Sequence, residues 1–233
     1  MRLILMAMMA AGTLVGCRME GVRETRLPNG LTVLTRADAS HPVVSVQVWV
    51  RVGSVNEAPP EYGMAHFFEH LIFKGSPKYP QGTMSRVIES RGGHLNAATS
   101  KEFTFYYADL PAEEVGLGLE TLLDAVQNAT FPPDEVERER KVILEEIARS
   151  EDNPGHVLWD AVYDTMFTTA YRHRVLGSSD TIRSMTRDAI KNFHRRYYRP
   201  NNITVIVVGD IREADVLDKV RELMAGFEPG TIP

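Results

Sequence analysis

The spacing of apolar residues changes period several times along the chain, and each change marks an element. Leu31 to Thr35 and Val43 to Val52 alternate or run apolar as strands do, the first entered through the Pro28-Asn29-Gly30 turn. Met64 to Phe73 and Thr83 to Ser90 take helical spacing, and His94 to Ala98 with Glu102 to Asp109 read as a hairpin. Three helical stretches follow at Ala112 to Asn128, Pro133 to Ser150 and Gly155 to Phe167, the last with aromatic residues at buried spacing. Ile190 to Tyr198 predicts another helix. Ile203 to Gly209 is continuously β-branched, as a buried strand is, and Glu213 to Met224 reads as a closing helix. Residues 227–233 read as a linker, and no short repeats or low-complexity tracts interrupt the pattern. The fold class expected is α+β.

Composition narrows the function. With 233 residues, 43% hydrophobic and 24% charged, the chain can bury one sizeable core or two small ones. A net charge of -5 and the lack of a basic stripe argue against nucleic acid as a partner, because counterion release needs clustered cations. The short run Arg195-Arg196-Tyr197-Tyr198-Arg199 suits a helix end, where cations complement the dipole. At the other terminus, Met1-Arg2 precedes an apolar stretch from Leu3 to Gly16, too short to span a bilayer but within the range of a signal-peptide core. It ends at Leu14-Val15-Gly16-Cys17, which resembles a bacterial lipoprotein cleavage box. Residues 1–17 are therefore expected to be a lipoprotein signal peptide, with Cys17 as lipid anchor and the bacterial cell envelope as location; the alternative is a misplaced start or short apolar tail on a cytoplasmic protein. Cys17 is the sole cysteine, so no disulfide is available to the fold.

The chemistry is concentrated in His66-Phe67-Phe68-Glu69-His70. At about 100° per residue, the two imidazoles and the carboxylate fall within an arc of roughly 100° on one helical face. This is the inverted order of the zinc-hydrolase motif, H-x-x-E-H. Two histidines four apart also occur as ordinary boundary residues of an amphipathic helix, so the motif needs a third ligand: a catalytic zinc takes three protein ligands and leaves one position for water. Asp134 to Ile147 supplies a candidate. On that helix Val136, Ile143 and Ile147 cluster on one side, with Glu139 and Glu146 stacked two turns apart at its margin. Glu146 is thus preferred over Glu145 as ligand, with Glu139 beside it as a supporting catalytic carboxylate. Glu135, Glu137 and Glu145 read as a solvated face.

These features resemble the M16 family of zinc metallopeptidases. The inverted motif, the Glu139/Glu146 pair and its distance from His70 carry the resemblance. Arg26 to Val33, Gly63-Met64-Ala65, Gly92 to Ser100 and Asp152-Asn153-Pro154 extend it. A departure occurs at Thr169-Ala170-Tyr171-Arg172-His173, where many relatives carry His-Pro before Tyr-Arg-His; it puts the local turn in question. The resemblance implies a peptidase half over residues 24–227, with a mostly antiparallel sheet, helices packed on one face, and a processing-peptidase-like metallohydrolase fold. Residues 228–233 would lead toward a second half.

By the same resemblance, one Zn2+ ion would be held by His66, His70 and Glu146. Its bound water would be brought to a pKa of about 7, and Glu69 would move the proton. The strand Leu95 to Ser100 would dock an extended peptide substrate through Asn96 and Ala97, although Asn96 could merely fix a turn. His94, His156, His173 and His194 show no metal spacing. The family pairs two homologous halves around a chamber, so a second half or partner subunit is expected, whether the chain is a fragment or a natural single half. Two rivals are a non-hydrolytic assembly subunit, disfavoured by the intact motif, and an S-ribosylhomocysteine lyase, which needs a cysteine ligand that Cys17 cannot be.

Overall fold

A computed structural model describes residues 21–233; the apolar segment 1–17, with its expected lipid anchor at Cys17, lies outside them. Six strands form one sheet: β1 (Arg23–Arg26), β2 (Thr32–Ala37), β3 (Val43–Val50), β4 (His94–Thr99), β5 (Thr104–Pro111) and β6 (Ile203–Gly209). Their order is β1-β2-β6-β3-β5-β4, and only the β2–β6 pair is parallel. The chain therefore places its last strand in the middle of the sheet.

Period-two patterning decides which face is dry. Val44, Val46, Val48 and Val50 of β3 are buried, as are Tyr106 and Ala108 of β5 and Val205 and Val207 of β6. Each of these valines contributes about 1.5–3 kcal/mol on leaving water. The helices α1 (Met64–Leu71), α3 (Val115–Asn128), α7 (Arg187–Tyr197) and α8 (Glu213–Leu223) bring Phe67, Phe68, Leu119, Leu122, Phe193 and Val220 into this core. On the opposite face Trp49 stacks on Phe105 at 4.4 Å between ring centroids and lies beside Phe103. An α+β fold with a mostly antiparallel sheet and helices on one face is thus what the chain adopts.

Three further helices, α2 (Thr83–Glu89), α4 (Pro133–Glu151) and α5 (Pro154–Met166), follow the expected spans closely. α4 opens with proline at its first position and Asp134 and Glu135 in its first turn, where a missing N–H and negative charge are both favourable. α5 departs from expectation: it buries no residue, and Trp159 is 62% exposed. Its Tyr163 stacks on Phe167, which packs on Tyr171, and carries the Lys101 ammonium 4.2 Å from its ring centroid. Glu135 also departs, being buried at the end of α4 where Gln81 and Arg138 both donate to Oε1. Two elements lacked a sequence signal strong enough to predict: β1, and α6 (Ser179–Ser184), which is capped by Ser178 and Thr181. The turn at the Thr169–His173 departure is a single 3-10 turn over Ala170–Arg172. Residues 227–233 carry no helix or strand, but Gly230 and the Asn201 side-chain amide bond each other in both directions.

Candidate active site

The geometry of the site begins at the N-terminus of α1, which no side chain of its own caps. Gly63 stands there at φ 94, and the neighbouring loop crosses so closely that a Cβ on Gly177 would lie 2.2 Å from the Tyr62 carbonyl oxygen. Glycine is required at both positions. The orphan amides of the first turn find their acceptor in Glu57, 5% exposed: Gly63 N–H donates to Oε2 and Ala65 N–H to Oε1, each at 2.7 Å. From this anchored turn, Phe67, Phe68 and Leu71 point into the core, leaving His66, Glu69 and His70 on the opposite side.

α4 lies across that side. Arg140 pins it by donating to the carbonyls of Ile182 and Met185, with its guanidinium 5.3 Å from the Phe67 ring centroid. Glu146 thereby meets both imidazoles: His66 Nε2 and His70 Nε2 each stand 3.6 Å from Glu146 Oε2. One ligand atom from each of the three residues can be chosen so that all lie within 4.8 Å of one another; among the described residues this is the one such group. Ligands at zinc distances of about 2.0–2.2 Å in a tetrahedron stand roughly 3.4 Å apart, which the two 3.6 Å imidazole–carboxylate separations match.

Around this centre His66, His70, Glu139 and Glu69 are displaced from their ordinary values. Burial, with His70 adding to it, pulls the His66 imidazole down to about 3, so it is neutral and free to donate a lone pair. Burial also pulls at His70, but the Glu139 hydrogen bond and the Glu146 charge outweigh it and raise the group. Glu139, its side chain 8% exposed, would be raised by burial; bonds from His70 Nδ1 at 3.0 Å and Lys74 Nζ at 2.7 Å bring it below the usual range instead. Glu69 is raised by burial, against the neighbouring Thr99, and its Oε2 is buried without a hydrogen-bond partner.

A cleft of about 590 Å³ opens beside these groups, lined by Glu69, His70, Lys74, Leu95, Asn96 and Ala97. The last three belong to β4, the edge of the sheet. Because Ser100 N–H donates to Phe103 O, antiparallel alternation turns the main-chain groups of Ala98 and Asn96 toward β5 and those of Thr99, Ala97 and Leu95 outward. Consistently, Ala97 N–H is taken up at 2.8 Å by the Asn96 side-chain oxygen. Ala97 therefore offers main-chain contacts to the cleft, whereas Asn96 can offer only its side chain.

The predicted residues His66, Glu69, His70, Glu139 and Glu146 come together, with Asn96 and Ala97 lining the cleft beside them. Sequence reasoning passed over Glu57, Lys74 and Thr99. Lys74 had a visible signal, standing four residues beyond His70 on the same helical face.

Comparison with known proteins agrees with this picture. The family model for insulinase, peptidase family M16, matches residues 32–179, and that for the peptidase M16 inactive domain matches 184–233. The second match includes β6 and α8, which share one sheet and core with the first. An uncharacterised zinc protease of Streptomyces coelicolor is 37% identical over 208 residues, 89% of this chain and 45% of that protein. A probable mitochondrial-processing peptidase subunit beta of Arabidopsis thaliana is 36% identical over 202 residues, covering 86% of this chain and 38% of that one. The crystal structure of a protease from Helicobacter pylori superposes with a TM-score of 0.86 at 29% identity, over 91% of this chain and 52% of its own. The chain spans about half the length of the curated relatives it matches.

Proposed function

Because this chain belongs to the insulinase family of peptidases, M16, we propose that it is a zinc-dependent endopeptidase domain that hydrolyses peptides or unfolded segments. The observation that carries the reading is the convergence of two imidazole Nε2 atoms on one oxygen of Glu146, 3.6 Å from each. His66, His70 and Glu146 would hold one zinc ion. When bound, such an ion supplies Lewis acidity, polarising the scissile carbonyl and acidifying a water.

The chain's own groups do the rest. Glu69 takes the proton released as water oxygen bonds to the carbonyl carbon, and returns it to the amide nitrogen as the C–N bond breaks. Its elevated proton affinity, set by burial, suits both transfers. Glu139 accepts the Nδ1 proton of His70, which leaves the Nε2 lone pair facing the ligand set. The outward main-chain groups of Leu95, Ala97 and Thr99 hold an extended peptide as one more strand, and Asn96 adds a side-chain amide.

The same reading includes a second homologous half or partner subunit, motivated by relatives about twice this length. It also includes envelope anchoring at Cys17, which rests on Leu14-Val15-Gly16-Cys17. Mass spectrometry of the mature N-terminus, beside a Cys17→Ser chain, tests the anchor; an unmodified cysteine in the wild type would remove it.

Metal analysis tests the centre. Wild type is expected to carry one zinc per chain, Glu146→Ala to lose it, and Glu69→Gln to keep it without peptidase activity in the presence of the second half. Full zinc occupancy in Glu146→Ala would strike that residue from the ligand set. Full activity of the isolated monomer would remove the requirement for a second half.

A further inference from the structure

We propose that Lys74 is a positioning residue of the metal centre, acting on His70 through Glu139. The inference rests on the zinc reading above and assigns a role to a residue outside the ligand motif.

Lys74 lies one turn beyond His70, past the last residue of α1, its amide donating to Leu71 O at 3.0 Å. Its Nζ meets Glu139 Oε1 at 2.7 Å, while the other oxygen, Oε2, accepts from His70 Nδ1 at 3.0 Å. A carboxylate with both oxygens engaged has its last torsion fixed, and the plane so fixed sets the direction from which His70 is held. Remove the ammonium and Oε1 has no other donor, so the carboxylate can turn and the imidazole loses its orientation toward Glu146. The ammonium also completes a charge balance: Glu69, Glu139 and Glu146 present three carboxylates, against one divalent cation and one lysine. The Lys74 side chain is 33% exposed and makes this one ion pair, so its contribution to the core is small.

Two effects of removing Lys74 oppose each other, which gives the test its sign. Taking a positive charge away from a cation site tightens zinc by Coulomb attraction alone. Loss of orientation at His70 weakens it. The geometry points to the second as the larger, because Glu139 contacts the ligand directly whereas Lys74 is separated from it by that carboxylate.

The experiment measures zinc Kd by chelator competition on the full chain, for wild type, Lys74→Met, Lys74→Arg, Glu139→Gln and the double variant Lys74→Met/Glu139→Gln. Lys74→Met is expected to weaken zinc about tenfold, and Lys74→Arg to recover most of that loss. In the Glu139→Gln background Lys74→Met adds less than about twofold, since its route of action is already gone. Unchanged or tighter zinc in Lys74→Met overturns the proposal, and so does an equal loss in both backgrounds. Urea unfolding of each metal-free variant keeps folding separate from metal affinity, and Lys74→Ala, held to the same expected loss of about tenfold, carries the comparison if Lys74→Met unfolds. A wild type that takes up no zinc would overturn the zinc reading itself; zinc in wild type with no effect at Lys74 overturns this inference alone.

Discussion

Removing the Glu57 carboxylate should loosen the helix that carries both histidines. Two amides, Gly63 N–H and Ala65 N–H, lose their acceptor in Glu57→Ala. A buried donor left unpaired costs about 1–3 kcal/mol, so the variant loses on the order of 2–6 kcal/mol, a large share of a typical total of about 5–15 kcal/mol. Glu57→Gln keeps one acceptor oxygen but turns an NH2 toward the second amide, and should cost about half as much. Urea unfolding of the metal-free chain by far-UV circular dichroism measures both. Zinc affinity should fall as well, because His66 follows Ala65 in the same turn.

The pH dependence sharpens this prediction. Burial is the largest influence on Glu57 and raises its carboxyl from 4.5 to about 8, against the pull of the Ala65 and Gly63 amides. Between those values the folded chain holds a proton that the unfolded chain has released. The contribution of Glu57 is therefore complete below 4.5 and is lost as pH rises through 8. The stability margin of wild type over Glu57→Gln should shrink across this window and then reverse, because a shift of this size is worth on the order of 5 kcal/mol, more than the substitution costs. At the acid end of this window, a Glu57→Ala cost below about 1 kcal/mol would refute the capping argument. A margin that widened with pH would show that the two amides outweigh burial.

His194 gives the opposite slope: burial lowers it from 6.5, so its contribution is present above that value and falls as the medium is acidified below it. Denaturation of metal-free wild type beside His194→Gln from neutral to acid pH checks this, and a difference that does not vary with pH would contradict it. At the edge strand, Ala97→Pro removes an outward N–H without breaking the β4–β5 ladder, and should raise KM for a peptide about tenfold with zinc content unchanged. An unaltered KM would show that substrate does not use that amide.

What the sequence made legible follows from how far each signal reaches. The faces of α1 and α4 were readable because a period of 3.6 needs only neighbours on the same helix, and the ligand set is built from two such faces. Glu57 obeys no period, since it lies just after the 3-10 turn Ser54–Asn56 and acts on another element. Its indirect trace is that the N-cap of α1 is Gly63, which has no side chain to cap with, so the first-turn amides had to look elsewhere. Glu135 looked solvated because the residues that cover it, Gln81 among them, come from a distant segment. β1, with the sequence Arg-Glu-Thr-Arg, carries no apolar alternation because it is a short edge strand, and α6 is too short to show a period.

α5 shows the limit from the other side. Periodicity identifies an apolar face but not whether anything lies against it, and Val157, Leu158, Trp159 and Met166 remain exposed. The inward side chains of the sheet needed no such partner, since α1, α3, α7 and α8 from the same chain cover them. The metal-binding group belongs to the self-sufficient class: every donor comes from α1 or α4, both anchored within these residues by Glu57 and Arg140. Metal affinity should therefore be a property of this chain alone, whereas the cleft lined by the exposed edge of β4 would, on the function proposed above, gain a second wall from another half. Zinc binding and turnover should consequently separate, with the first present in the isolated chain and the second rising when the partner half is supplied.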